Sequence, residues 1–157
     1  MPSIDSTIVI RASMPRVFDL ISRPQAFAEC SQYIARIVPF GKNKYHWEVD
    51  AAGMTLGWDS ITTEYRRPEH LAWRSITGIE NSGSYTLAQT KHGTVLTFEM
   101  DYHLPSKMLD AVAAPLSEPL IQAAIMEVLE SIKGRLENDT KYGCWPSDDD
   151  GDFGESG

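Results

Sequence analysis

At 157 residues and 42% hydrophobic content, the chain is long enough to bury one sizeable core, which sets the expectation of a single folded domain. Its net charge is −8, of which −5 falls in the last eleven residues and −3 is left for the rest, so it carries no basic stripe for DNA or RNA, and nucleic acid is not expected as a partner. No apolar run approaches the ~20 residues that span a bilayer, and the first ten residues lack the basic start and apolar centre of a signal peptide. The only cysteines, Cys30 and Cys144, make no disulfide framework, so a reducing cytoplasm is the expected compartment.

In chain order, "STIVIRA" (6–12) reads as a first strand. A short helix follows over "SMPRVFDLIS", with Ser13 as N-cap and a proline in its first turn, and a second short helix is expected over "PQAFAECS" from Pro24. Six alternating stretches come next: 33–40, 44–51, 54–65, 70–77, 84–90 and 94–104, joined by the turn-like links "GKN", "AG", "RRPE", "GIENSG" and "KHG". Short links between alternating runs make an antiparallel meander, and the first strand brings the count to seven.

The period then changes. "SKMLDAVAA" forms a shorter helical piece that Pro115 separates from a long helix running from about 118 to 138, with Ser117 as its N-cap. Its apolar stripe is Leu120, Ile121, Ala124, Ile125, Val128, Leu129, Ile132 and Leu136. Residues 1–140 are read as the folded domain and residues 141–157 as an acidic, disordered tail.

One helix is too narrow to cover the apolar face of seven strands, so the sheet must curl around it. A cavity is expected where the two diverge. Alternation places Trp47, Val49, Leu56, Trp58, Ser60, Thr62, Leu71, Trp73, Ser75, Tyr85, Leu87, Leu96, Phe98, Met100 and Tyr102 on the inner face. From the helix, Leu120, Ala124 and Val128 are assigned to the same space. Large apolar groups with a few hydroxyls describe both a pocket for an apolar ligand and a well-filled core.

Sharper motifs are absent or explained otherwise. "WRSITGIENSGSY" (73–85) has two glycines five apart, but no lysine follows the second and a strand rather than a helix comes next, so it is a hairpin and not a phosphate loop. Glu99, Asp101 and His103 share one face of the last strand, yet same-face neighbours stand almost 7 Å apart, too far to converge on one ion, and read as a solvent-facing row. Ser75 lacks the elbow of a hydrolase nucleophile. Arg74 is assigned to the outer face, paired across strands with Asp59, while Arg66 and Arg67 fall in a solvated turn. His46, His70 and His92 have no ligand spacing, and Cys30 is read as structural. Neither a metal nor a cofactor is expected.

The whole-chain pattern resembles the START-like, helix-grip superfamily. The resemblance rests on "STIVIRASMPRVFDLIS", "GWDSITTEYRRPEHLAWRS", "ENSGSYTL", "GTVLTFEMDYHLP" and "LESIKGRLE", and is nearest to the polyketide cyclase/dehydrase and lipid-transport branch. It implies an α+β helix-grip fold: a seven-stranded antiparallel curved sheet wrapped around a long C-terminal helix, with two short helices between the first two strands. It also implies a deep cavity for lipids, quinones or polyketide-like molecules. In aromatase/cyclase members a tyrosine near the start of the second strand and an arginine in the fourth serve the pocket. The tyrosine matches Tyr33, whereas Thr62 stands where the arginine would. A guanidinium is the natural partner of an enolate developing during ring closure, so its replacement argues against cyclase chemistry.

Three functions from different classes follow, in order. The first is a carrier or binding protein for an apolar small molecule. The second is a polyketide aromatase/cyclase or dehydratase using the same cavity. The third is a protein-interaction module with the acidic tail as its contact.

Overall fold

The computed structural model describes residues 3–26, 31–51, 54–104 and 118–138. Seven strands, β1 (Ser3–Ile10), β2 (Ile34–Pro39), β3 (Lys44–Ala51), β4 (Met54–Arg66), β5 (His70–Gly78), β6 (Glu80–Thr90) and β7 (Gly93–His103), form one antiparallel sheet in the order β1-β7-β6-β5-β4-β3-β2. Two helices, α1 (Met14–Ile21) and α2 (Glu118–Asn138), complete the described elements. The expected meander and long helix are therefore present, with β1 added beside β7. Of the second short helix, residues 24–26 form a single 3₁₀ turn and 27–30 lie outside the described residues. The helical piece after 105, Ser117, Cys30, Cys144 and the tail lie outside them too.

Local chemistry accounts for α1. The Ser13 side chain accepts from the Arg16 N–H at 3.4 Å, Pro15 occupies the first turn, and Val17, Phe18, Leu20 and Ile21 turn one apolar face inward. Arg67 was expected to be solvated, but its guanidinium forms a two-pronged bond with the Asp19 carboxylate at 2.8 and 2.9 Å. That fork ties α1 to the β4–β5 turn.

Helix α2 lies along the inner face of the sheet. Gln122 donates to the Ser6 hydroxyl at 2.8 Å, Lys133 donates to the Val9 carbonyl at 2.8 Å, and the Arg11 N–H donates to the Glu137 carboxylate at 2.6 Å. Leu129 and Ile132 are buried in one cluster with Phe18, Ile21, Leu87 and Leu96. The C-terminal half of α2 is thus packed in the core cluster, whereas the N-terminal half is tied to β1 through Gln122 and lines open space with Ile121, Ala124 and Ile125.

The outer face of β2–β5 carries a polar chain. Arg36 donates to Glu48 at 3.1 and 3.2 Å, the two ring nitrogens of His46 meet Glu48 at 2.9 Å and Asp59 at 2.6 Å, and Thr77 donates to Asp59 at 3.2 Å. Asp59 does not pair with Arg74. Asp59 stands opposite Thr77, and Arg74 stands opposite Ile61, between register shifts at Asp59/Ser60 and Thr62/Glu64. Hydrogen bonds from Asp59 and then Glu48 raise the His46 pKa above 6.5. A raised folded value means that the stabilisation is fully present below the unfolded pKa and fades as pH climbs through the folded one. The Tm difference between the parent and His46→Gln should therefore be largest near pH 5.5 and shrink by pH 8.5; a constant difference would contradict the assignment.

Candidate functional site

A cavity of about 260 Å³ lies between the sheet and the N-terminal half of α2. Strand alternation supplies most of its wall: Tyr45, Trp47 and Val49 from β3, Leu56, Trp58, Ser60 and Thr62 from β4, Leu71 and Trp73 from β5, Tyr85 from β6, and Phe98, Met100 and Tyr102 from β7. Tyr33 and Ile34 close it at the start of β2, and Ile21 and Ser22 at the end of α1. Helix α2 contributes Ile121, Ala124, Ile125, Val128 and Leu129.

Two aromatic groups organise this wall. Trp47 and Trp58 face each other across β3 and β4, stacked with centroids 5.6 Å apart and planes 11° from parallel. Trp73, Tyr85 and Phe98 form a second set, with centroids 5.4 to 5.7 Å apart. Two of the three lining indole N–H groups are satisfied: Trp47 donates to the Ser60 hydroxyl at 3.2 Å and Trp73 to the Asn81 side-chain oxygen at 3.0 Å. None of the described lining residues is Asp, Glu, His, Lys or Arg. Burial, with Tyr65 nearby, raises the Tyr45 pKa, and burial alone pushes the Tyr85 phenol above its usual range, so both are neutral donors at ordinary pH.

Of the residues assigned from sequence, Tyr33, Trp47, Trp58, Ser60, Thr62, Trp73, Tyr85, Phe98, Met100, Tyr102, Ala124 and Val128 come together around this cavity. Ser75 does not line it. The β5–β6 ladder ends at Arg74–Ser82, and the Ser75 hydroxyl fills the gap beyond by accepting from the Asn81 N–H at 3.0 Å. Leu120 belongs to α2, and its side chain lies outside the described residues. Glu99, Asp101 and His103 are exposed, and Asp101 accepts from the Ser3 hydroxyl.

The stretch 73–85 also folds more tightly than its composition indicates. Strand β5 runs on to Gly78, which has φ +81°, and β6 begins at Glu80 rather than Ser84, so that only Ile79 stands between the two strands. Gly83 is a strand residue facing Trp73 across the ladder. A Cβ there would run into the Glu99 carbonyl oxygen and stand 2.7 Å from the Trp73 ring. Gly83→Ala should therefore displace Trp73 and destabilise by about 1–3 kcal/mol, measured by chemical denaturation; an unchanged midpoint would show that the indole does not depend on that clearance. Asn81, 6% exposed, is a lining residue that sequence reading missed, because a turn-type residue gives no sign of holding an indole. Tyr45 could have been found by extending the alternation of Trp47 and Val49 one step back.

A family model described as "Polyketide cyclase / dehydrase and lipid transport" matches residues 1–137. The chain belongs to this polyketide cyclase/dehydrase and lipid-transport family. No curated protein matches the sequence significantly. Among solved structures, a protein from Thermus thermophilus aligns with TM-score 0.74 at 17% identity over 86% of this chain and 97% of its own. A START superfamily protein from Mycobacterium smegmatis aligns with TM-score 0.66 at 13% identity over 86% and 97%. The Zhui aromatase/cyclase from Streptomyces sp. R1128 aligns with TM-score 0.61 at 18% identity over 88% and 97%. At these identities the three structures share the helix-grip fold with this chain, and the chemistry rests on the cavity itself.

Proposed function

We propose that this protein binds one apolar small molecule, a lipid, quinone or polyketide-like compound, between the sheet and α2 and carries it unchanged. The cavity's character supports this reading: about 260 Å³ of space walled by indole, phenol and aliphatic groups, without an ionisable acid–base pair among its described lining residues. It exceeds the ~150 Å³ at which an apolar protein cavity already takes up benzene. Residues 1–140 are the proposed binding domain, 141–157 a separate acidic tail, and the cytoplasm the proposed compartment. Among the described residues no helix is long and apolar enough to cross a membrane.

The test is a titration with N-phenyl-1-naphthylamine, a neutral fluorescent probe, in a Trp145→Phe background. Only Trp47, Trp58 and Trp73 then report, and all three line the cavity. A saturable change at one probe per chain is expected. A response that rises linearly without saturating would sink the binding reading.

Family membership favours a second reading, in which the bound chain is cyclised or dehydrated. Thr62 in place of an arginine and the uncharged wall weigh against it, since neither offers a fixed cation or a base to a developing enolate. Native mass spectrometry of protein from its own host separates the two. A carried ligand keeps its mass on incubation, whereas loss of one water from it supports the dehydratase.

A further inference from the structure

Most polar side chains of the wall have their hydrogen bonds inside the protein. Trp73 donates to Asn81, Asn81 donates to the Ile79 carbonyl at 3.0 Å, Trp47 donates to Ser60, and Tyr45 donates to the Ser22 carbonyl at 3.4 Å. Tyr85 is different. It lines the cavity at 8% exposure, held edge-on to Phe98 and tilted against Trp73, and its hydroxyl has no hydrogen-bond partner among the described residues.

A buried hydroxyl without a partner is disfavoured by its lost solvation, and native structures keep such a group where a ligand or solvent completes it. Burial also keeps the Tyr85 phenol protonated, so its O–H is available as a donor. A carbonyl oxygen meets that donor without bringing a donor of its own. A carboxylate would enter with a charge that no described lining side chain neutralises, a strongly unfavourable transfer. The aromatic groups in the wall, Trp47 with Trp58 and Trp73 with Phe98, favour flat rings over a flexible acyl chain.

Resting on the binding reading above, we infer that Tyr85 is the ligand's hydrogen-bond anchor, and that the cavity selects a neutral, ring-bearing ketone or quinone whose carbonyl oxygen accepts from the Tyr85 hydroxyl. Thr62, Ser60 and the indoles shape the space around it, and Tyr85 sets the orientation. A hydrocarbon of the same shape would leave the phenol bare, and an anionic amphiphile would be rejected for its charge.

The experiment uses 9-fluorenone and fluorene, which share a tricyclic frame and differ in the carbonyl, together with fluorene-9-carboxylate. Binding to the full chain and to Tyr85→Phe is measured by equilibrium dialysis at pH 7.5. The fluorenone-to-fluorene affinity ratio should fall about 2–10-fold on substitution, as expected for one neutral hydrogen bond. The carbonyl stretch of bound fluorenone should lie at lower frequency in the parent than in the variant. Without ligand, Tyr85→Phe should melt at or above the parent, because the hydroxyl has no internal bond to lose.

An unchanged ratio, with both probes bound, overturns the anchor and leaves the binding reading intact. A clear fall in the unliganded melting temperature reveals an internal partner and overturns it as well. Fluorene-9-carboxylate binding as tightly as fluorenone overturns the selection for neutral ligands. If neither fluorenone nor fluorene binds the parent, the binding reading fails and the anchor with it.

Discussion

A Leu129→Asp variant is expected to melt at least ~10 °C below the parent, or to show no cooperative transition. Leu129 is 1% exposed where α2 passes from the cavity into the packed cluster with Phe18, Ile21 and Leu96. A carboxylate there has no cation within the cluster, and an unpaired buried charge destabilises by several kcal/mol. For a chain of this size each kcal/mol shifts the midpoint by ~2–4 °C. Ile125→Asp, one turn earlier on the cavity wall, should be milder, because the open space lets solvent reach the carboxylate. Equal melting of Leu129→Asp and the parent, followed by far-UV circular dichroism, would remove α2 from the core.

Ala124→Trp is expected to leave a folded protein that no longer binds. Ala124 faces the cavity from α2, and an indole placed there projects into the space between the helix and the opposite aromatic wall. In a close-packed interior the same change would overpack and destabilise by about 1–3 kcal/mol. With a real cavity the ring finds room, the melting temperature holds or rises, and saturable binding of the naphthylamine probe disappears. Retained binding would place the ligand elsewhere, and a destabilised variant of a parent that never bound would dispose of carrier and cyclase alike.

The sheet was legible in the sequence because most of its strands report themselves locally. Strands β3, β4, β5 and β7 alternate, and their links are short and rich in turn residues, so period and punctuation agree. Helix α2 announced itself by its change of period. What escaped depends on partners far away in the chain. Asn81, Ser82 and Gly83 have turn composition, yet they pair with Tyr102, Asp101 and Met100 of β7. Gly83 is suited to that strand by the Trp73 ring beside it, a contact that no local pattern encodes. Ser75 falls on the inner parity of β5, but the splay between β5 and β6 claims its hydroxyl. The same limit applied to the pairing of Arg74, which lies between two register shifts of the β4–β5 ladder that no local pattern encodes. On the helix, Ile121, Ile125 and Leu129 of the predicted stripe reach the cavity beside Ala124 and Val128, a rotation that only the packed structure fixes. Arg67 looked solvated because Asp19, its partner, lies 48 positions away.

The place of β1 in the sheet bears on how the protein assembles. Pairing within β3–β7 is between neighbours in sequence, each closing a short loop, whereas β1 meets β7 across the chain, with Ser3 and Asp101 separated by 98 positions. Loop-closure entropy places such a contact late in folding, after the local hairpins exist. No β1 residue lines the cavity, yet β1 and the residue that follows it hold α2 through Ser6, Val9 and Arg11. The sheet side of the binding wall is thus built from sequence-local pairings, whereas the long-range closure of β1 on β7 brings in the strand that holds the helix over it.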